Sequence, residues 1–214
     1  MRISSARIEN FRALEDVTCA FDDVTTFIGP NGAGKSSILR ALDWFFNGAK
    51  GALGDQDRYS LAAVGSRIRV RVDFDGLTQA DRDALGEKYA PASVDTFTAW
   101  RTIEESGEEK ITAKAMAFLP FETVRAAVGV PDKKAALALA RSQHPDLDLP
   151  SWTTIAGTGA AMDEWERQHP EALTESEVSD THFFGFYGQG KLSGIFDFVF
   201  VSADLRAGEE SQDT

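Results

Sequence analysis

Residues 27–46, FIGPNGAGKSSILRALDWFF, decide how this chain is read. Within them, Gly29-Pro30-Asn31-Gly32-Ala33-Gly34-Lys35-Ser36 fits G-x-x-x-x-G-K-[ST] at every position. Its glycines let the backbone fold tightly and turn successive N–H groups inward as an anion nest. A helix starting near Lys35 adds the positive end of its dipole to the same point. In such a loop Lys35 reaches the β- and γ-phosphates and the Ser36 hydroxyl takes one site on Mg²⁺. Asn31, Gly32, Ala33, Gly34 and Ser37 complete the expected cradle for a nucleoside triphosphate.

The flanking elements are those the motif requires. VTTFIG, 24–29, reads as a short apolar strand running into the loop. From Ser36 onward Ile38, Leu39, Leu42, Phe45 and Phe46 recur at three- and four-residue spacing, and NGAKGALG stops the helix. Upstream, residues 2–9 read as a strand, NFRALED as a turn and Val17–Phe21 as a second strand.

Downstream, RIRVRVDF (67–74) alternates strictly. Ile68, Val70, Val72 and Phe74 take one face, and Arg67, Arg69, Arg71 and Asp73 the other, which is the pattern of a half-solvated antiparallel strand. TFTAWRTIEESGEEKITAKAMAF predicts a hairpin turning near Ser106-Gly107. Residues 120–142, broken by Pro131, and 159–169 read as helices; GIFDFVFVSAD reads as a final strand. Segment 163–180 carries seven acids against one arginine and reads as solvated surface.

The bulk numbers bound the function. A chain of 214 residues can bury one good core, or one core plus a small subdomain. No apolar run approaches the roughly 18–20 residues that cross a bilayer, and MRISSARIEN lacks the apolar region of a secretory signal. Cys19 is the only cysteine, so no intrachain disulfide forms; a buried strand thiol in a reducing cytoplasm is expected. The net charge of −12 is uneven: residues 1–72 hold 10 Lys/Arg against 8 Asp/Glu, the remainder 12 against 26. A free-standing nucleic-acid binder carries a basic footprint, and this chain as a whole does not. The row Arg67, Arg69 and Arg71 is the best candidate for any DNA contact; the plainer reading is a solvated face balanced by nearby acids.

Residues 8–46 resemble the N-terminal lobe of ABC-type ATPases of the SMC/RecF group, and within it the OLD-family (overcoming lysogenization defect) ATP-dependent endonucleases. Ile8-Glu9-Asn10-Phe11-Arg12, the Gly-Pro-Asn-Gly-Ala-Gly-Lys-Ser-Ser loop and the ILRALDWFF helix carry the likeness. GQGKLSGIFDFVFVSAD also looks like the end of the ATPase lobe in OLD-like proteins, with Ser202 where a proline is expected. The resemblance implies an α/β P-loop NTPase fold, an ABC-type lobe with an antiparallel β side sheet and a few helices. It implies ATP and Mg²⁺ as ligands, a homodimer or a completing C-terminal half as partner, and DNA as a target of the completed protein. It also implies that Arg12 leans on the nucleotide phosphates. The domain expected is 1–205, with side sheet and helical insertion within about 64–180, followed by a polar tail at 206–214.

Hydrolysis needs parts these residues do not supply. No apolar run ends in Asp-Glu as a Walker B strand does; Asp204 follows FVFV only after Ser202-Ala203. Leu192-Ser193-Gly194 echoes the ABC signature but leads into a strand-like run where the signature opens a helix. Asp73-Phe74-Asp75 has the spacing of a Toprim nuclease pair but sits in the alternating strand without an upstream glutamate. Gln189 is the residue type of the Q-loop, which touches Mg²⁺ and the attacking water in ABC ATPases; that loop follows its strand, whereas Gln189 precedes one.

Three functions compete: an ATP-binding lobe of an OLD-like ATPase in DNA processing or phage defence, a self-contained small-molecule kinase using Asp73 or Asp204 on its metal, and a nucleotide-sensing module without turnover. Strand order separates the first two, since a kinase needs a parallel sheet with helices on both faces.

Overall fold

The computed structural model describes residues 1–127, 129–151, 155–179 and 196–201. Its frame is a six-stranded sheet in the order β2-β1-β3-β4-β5-β6, made of β1 (Arg2–Phe11), β2 (Leu14–Ala20), β3 (Ile68–Asp75), β4 (Thr96–Ile103), β5 (Glu109–Ala117) and β6 (Thr174–Ser179). Every pairing is antiparallel. This is the side sheet expected from the alternation in 67–74, and β3 buries every second residue from Ile68 to Phe74. The β4–β5 hairpin turns through Gly107, whose φ of 81° needs a residue without a Cβ.

Helix α1 (Lys35–Asn47) lies on the apolar face of this sheet. Ile38, Ala41, Leu42, Trp44 and Phe45 join Ile8, Val70, Val72, Phe74 and Phe97 in one core. Leu39, expected on that face, is 40% exposed, and Trp44 takes the buried place. Cys19 is half-buried against this core, and burial raises its thiol pKa.

Beyond β5, α3 (Leu119–Ala126), α4 (Val130–Gln143) and α5 (Ile155–Gln168) form a second core around Phe118, Phe121, Leu137, Met162 and Trp165. Pro131 does not break a helix in its middle; it stands in the first turn of α4, where its missing N–H leaves no helical bond unmade. A shorter helix, α2 (Gln79–Leu85), follows β3 and is capped by Thr78.

The second core contains a buried charge. Glu166, 4% exposed, accepts from the Phe118 N–H (2.9 Å), Arg125 (2.8 Å) and Lys88 (3.1 Å). Burial pushes its carboxyl upward, but the hydrogen bonds and charge of Arg125, then the charge of Lys88, outweigh that and hold it below the ordinary carboxylate value. A depressed carboxylate contributes its stability above the unfolded value, about 4.3, and loses it as pH falls through the folded value. Glu166→Gln is therefore expected to melt well below the parent at pH 7. The gap in thermal midpoint should narrow as pH drops below about 4; a gap independent of pH would remove the charge from this account.

Two expected strands form no ladder among the described residues. Residues 24–29 run without a ladder partner among the described residues, and Val24 and Ile28 are 86% and 92% exposed. A strand is defined by its neighbours, and apolar composition alone does not supply one. Residues 196–201 likewise form no ladder; Phe196 and Phe198 stack on Phe46 of α1 at 4.9 and 5.0 Å. Conversely, β6 lies in the acidic segment read as surface: its face is mostly exposed, but its backbone pairs with β5.

Candidate nucleotide site

The loop 29–34 joins the unpaired segment to α1 and is held by short-range contacts. Gly34 caps α1 with φ 89°, and Ile38 N–H makes a 3.1 Å bond back to its carbonyl. A Cβ on Gly34 would stand 2.6 Å from the end of the Leu14 side chain, and the φ of 89° strains any residue with a Cβ there. At Gly32, φ 84°, a Cβ would meet nothing within 4 Å. Asn31, Gly32, Ala33 and Ser36 are exposed, with Lys35 and Ser37 half-exposed. The first N–H groups of α1 have no partner within the helix, which is the condition an anion cradle uses.

Lys35 Nζ donates to the carbonyls of Gly29 and Pro30, both at 2.7 Å. The ammonium thereby ties the start of α1 to the segment that enters the loop. Ser36, the second residue of α1, follows Lys35 in sequence and is exposed. These donors suit a polyphosphate with its Mg²⁺: backbone N–H groups and an ammonium for the anion, a hydroxyl oxygen for the cation.

Arg12 stands at the β1–β2 turn, one residue before Ala13 and Leu14, the side chains nearest Gly34. Its φ is 52°, unusual for a residue with a side chain, and Asn10 at 55° shares the condition. Its guanidinium is gripped by Asp57, with Nε and Nη2 on Oδ1 at 2.9 and 2.8 Å. Nothing in the composition around Asp57 marks it as part of the site; it becomes visible only when residues 55–57 fold against the turn.

Arg101 was likewise missed. It points to the core face of β4, 2% exposed, and reaches the end of α1. It donates to the carbonyls of Trp44, Phe45 (3.5 Å), Gly48 (2.7 Å) and Ala49 (3.4 Å), and pairs with Glu109 at 2.5 Å. The signal was present: Arg101 falls in phase with Phe97, Ala99 and Ile103, where an apolar residue belongs.

The remaining candidates are not brought to the loop. Asp73 lies on the sheet face away from α1 and bonds Ser5 (2.7 Å), Thr98 (2.7 Å) and Arg71 (2.7 Å). Arg69 pairs with Glu177 at 2.5 Å, Arg71 with Asp73 at 2.7 Å and Arg67 with Glu9 at 4.0 Å, so the arginine row is a face balanced by acids. Gln189, Leu192-Ser193-Gly194, Ser202, Asp204 and the tail 206–214 lie outside the described residues. Among the described residues no helix is long and apolar enough to cross a membrane.

The OLD nuclease of Thermus scotoductus is 51% identical over 37 residues, which is 17% of this chain and 7% of that protein. The Old nuclease of Escherichia phage P2 is 27% identical over 118 residues, 53% of this chain and 19% of that protein. The chain thus spans only a small part of the curated relatives it matches. A solved chain from work on ATP-driven dimerization and DNA-stimulated activation of SMC ATPases covers 78% of this chain and 96% of itself, at 15% identity and a TM-score of 0.41. A family model described as an AAA ATPase domain matches residues 1–151, more than two thirds of the sequence, and the chain belongs to that family.

Proposed function

We propose that this chain binds ATP with Mg²⁺ as the N-terminal lobe of an OLD-like ABC-type ATPase acting in DNA processing or phage defence. Residues 1–205 form that lobe, and turnover requires a Walker B and signature supplied from outside these 214 residues. The observation that carries the reading is the segment entering the loop. Val24 and Ile28 are 86% and 92% exposed in the unpaired run that enters the candidate loop, and Val199 and Val201 are 73% and 75% exposed. Exposed apolar side chains next to a ligand site mark a surface that a partner covers. A completing C-terminal half or a second copy fits there, and DNA is met by the completed protein.

In this reading Lys35 and the loop N–H groups hold the β- and γ-phosphates. Arg12 adds charge from the neighbouring turn, Ser36 binds Mg²⁺ and Gln189 gives it a second contact. Mg²⁺ supplies charge neutralisation across the phosphates. The antiparallel sheet and the placement of Asp73 favour this lobe over a self-contained kinase.

Purified chain is expected to bind ATP and to release negligible phosphate, because among the described residues no carboxylate pair stands where it could orient and activate water. Robust turnover abolished by Asp204→Ala would overturn the proposal and favour the kinase reading. Turnover that stays absent after the completing polypeptide is added would make the chain a nucleotide-sensing module.

A further inference from the structure

Residues 57–59 clamp the strained turn that carries Arg12. The Arg12 N–H donates to the Asp57 carbonyl (2.7 Å), the Tyr59 N–H donates to the Asn10 carbonyl (3.0 Å), and Phe11 bridges to Arg58. Two non-glycine residues at positive φ flank the fully buried Phe11, a conformation that persists only where its surroundings hold it. The Asp57 side chain does the rest. Its Oδ1 takes Arg12 Nε and Nη2, while its Oδ2 accepts the Gly54 N–H at 3.1 Å. The carboxylate is therefore fixed by its own short turn before it grips the arginine, and the Asp57 side chain is 8% exposed while that of Arg12 is 37% exposed.

We infer that Asp57 is a positioning residue for nucleotide binding, fixing the Arg12 guanidinium beside the phosphate loop. The inference rests on the proposed ATP-binding reading. A guanidinium is planar, and a carboxylate oxygen on its Nε–Nη2 edge orients the whole plane, directing the end that bears Nη1 to a second anion. Free arginine loses rotamer freedom when it meets phosphate; an arginine already held loses little. Removing Asp57 also leaves a less neutralised cation, which attracts phosphate more strongly. Preorganisation outweighs this in a solvent-exposed site, where charge attraction is screened.

The test is a double-mutant cycle in ATP affinity, measured by titration calorimetry with Mg²⁺·ATP. Asp57→Ala in the parent is expected to weaken ATP about tenfold, and in an Arg12→Ala background to change it little, because the two residues act as one unit. Asp57→Asn, which retains one acceptor oxygen, should fold where Asp57→Ala does not and should show a smaller loss in the same direction. A purely structural role predicts additive losses in the two backgrounds; additive losses, or unchanged or tighter binding in the Asp57 variants, overturn the inference. Lys35→Ala keeps the two failures apart: lost affinity there with none in the Asp57 variants rejects the inference and leaves the ATP site standing. A parent that binds no ATP rejects both.

Discussion

Arg101→Met is expected to lower the unfolding free energy by about 3–5 kcal/mol, the cost of stripping one partner from a buried ion pair. For a chain of this size that corresponds to a fall in thermal midpoint of roughly 10 °C. Arg101 and Glu109 have side chains only 2% and 4% exposed, so deletion leaves the Glu109 carboxylate buried opposite an apolar side chain. The loss extends to α1. Its last turn carries no basic residue of its own, and Arg101 supplies the donors for its terminal carbonyls from across the core. The guanidinium also stacks 4.7 Å over the Trp44 ring. Burial pulls Arg101 below its ordinary pKa, and the charge and hydrogen bond of Glu109 oppose that. The pair therefore matters as a unit, and Arg101→Met combined with Glu109→Leu should recover much of the stability lost by either alone. Thermal melts of the two single variants and the double variant decide it: equal midpoints for parent and Arg101→Met would mean that the helix end is held by something else.

The parts of this molecule legible in the sequence are those where one residue's surroundings repeat. The alternation in 67–74 gave β3 and its buried face, Ser106-Gly107 gave the β4–β5 hairpin, and three- and four-residue spacing gave α1. The candidate phosphate loop stands out in the sequence because such chemistry demands fixed residue types at fixed spacing. What failed depended on distant partners. Residues 24–29 have strand composition but no ladder among the described residues, whereas TESEVS has surface composition and pairs as β6 because β5 offers an open edge. Position 12 was marked by resemblance, but its holder Asp57, 45 residues away, was not. Arg101 and Glu109 broke the apolar phase of their strands in the same hairpin, and opposite charges in that phase are the trace a buried pair leaves.

Lys35→Ala is expected to weaken ATP binding by about 1.5–3 kcal/mol, roughly 10- to 150-fold, the range for a lost charge-assisted hydrogen bond. Two effects add in the same direction. The ammonium meets phosphate charge directly, and it also spans the loop through the Gly29 and Pro30 carbonyls at 2.7 Å. Without it those carbonyls turn to water and the loop N–H groups lose a brace that keeps them convergent. Stability should change little, because the side chain lies at the surface and touches no core residue through these bonds; a thermal midpoint close to the parent's separates lost binding from lost fold. Lys35→Arg restores charge but not fit, since a planar fork cannot follow the two carbonyls as a compact ammonium does. It should recover only part of the affinity. Unchanged calorimetric affinity in Lys35→Ala would sink the assignment of this loop as the nucleotide site, and the glycines of 29–34 would then form a turn that merely joins an unpaired segment to a helix.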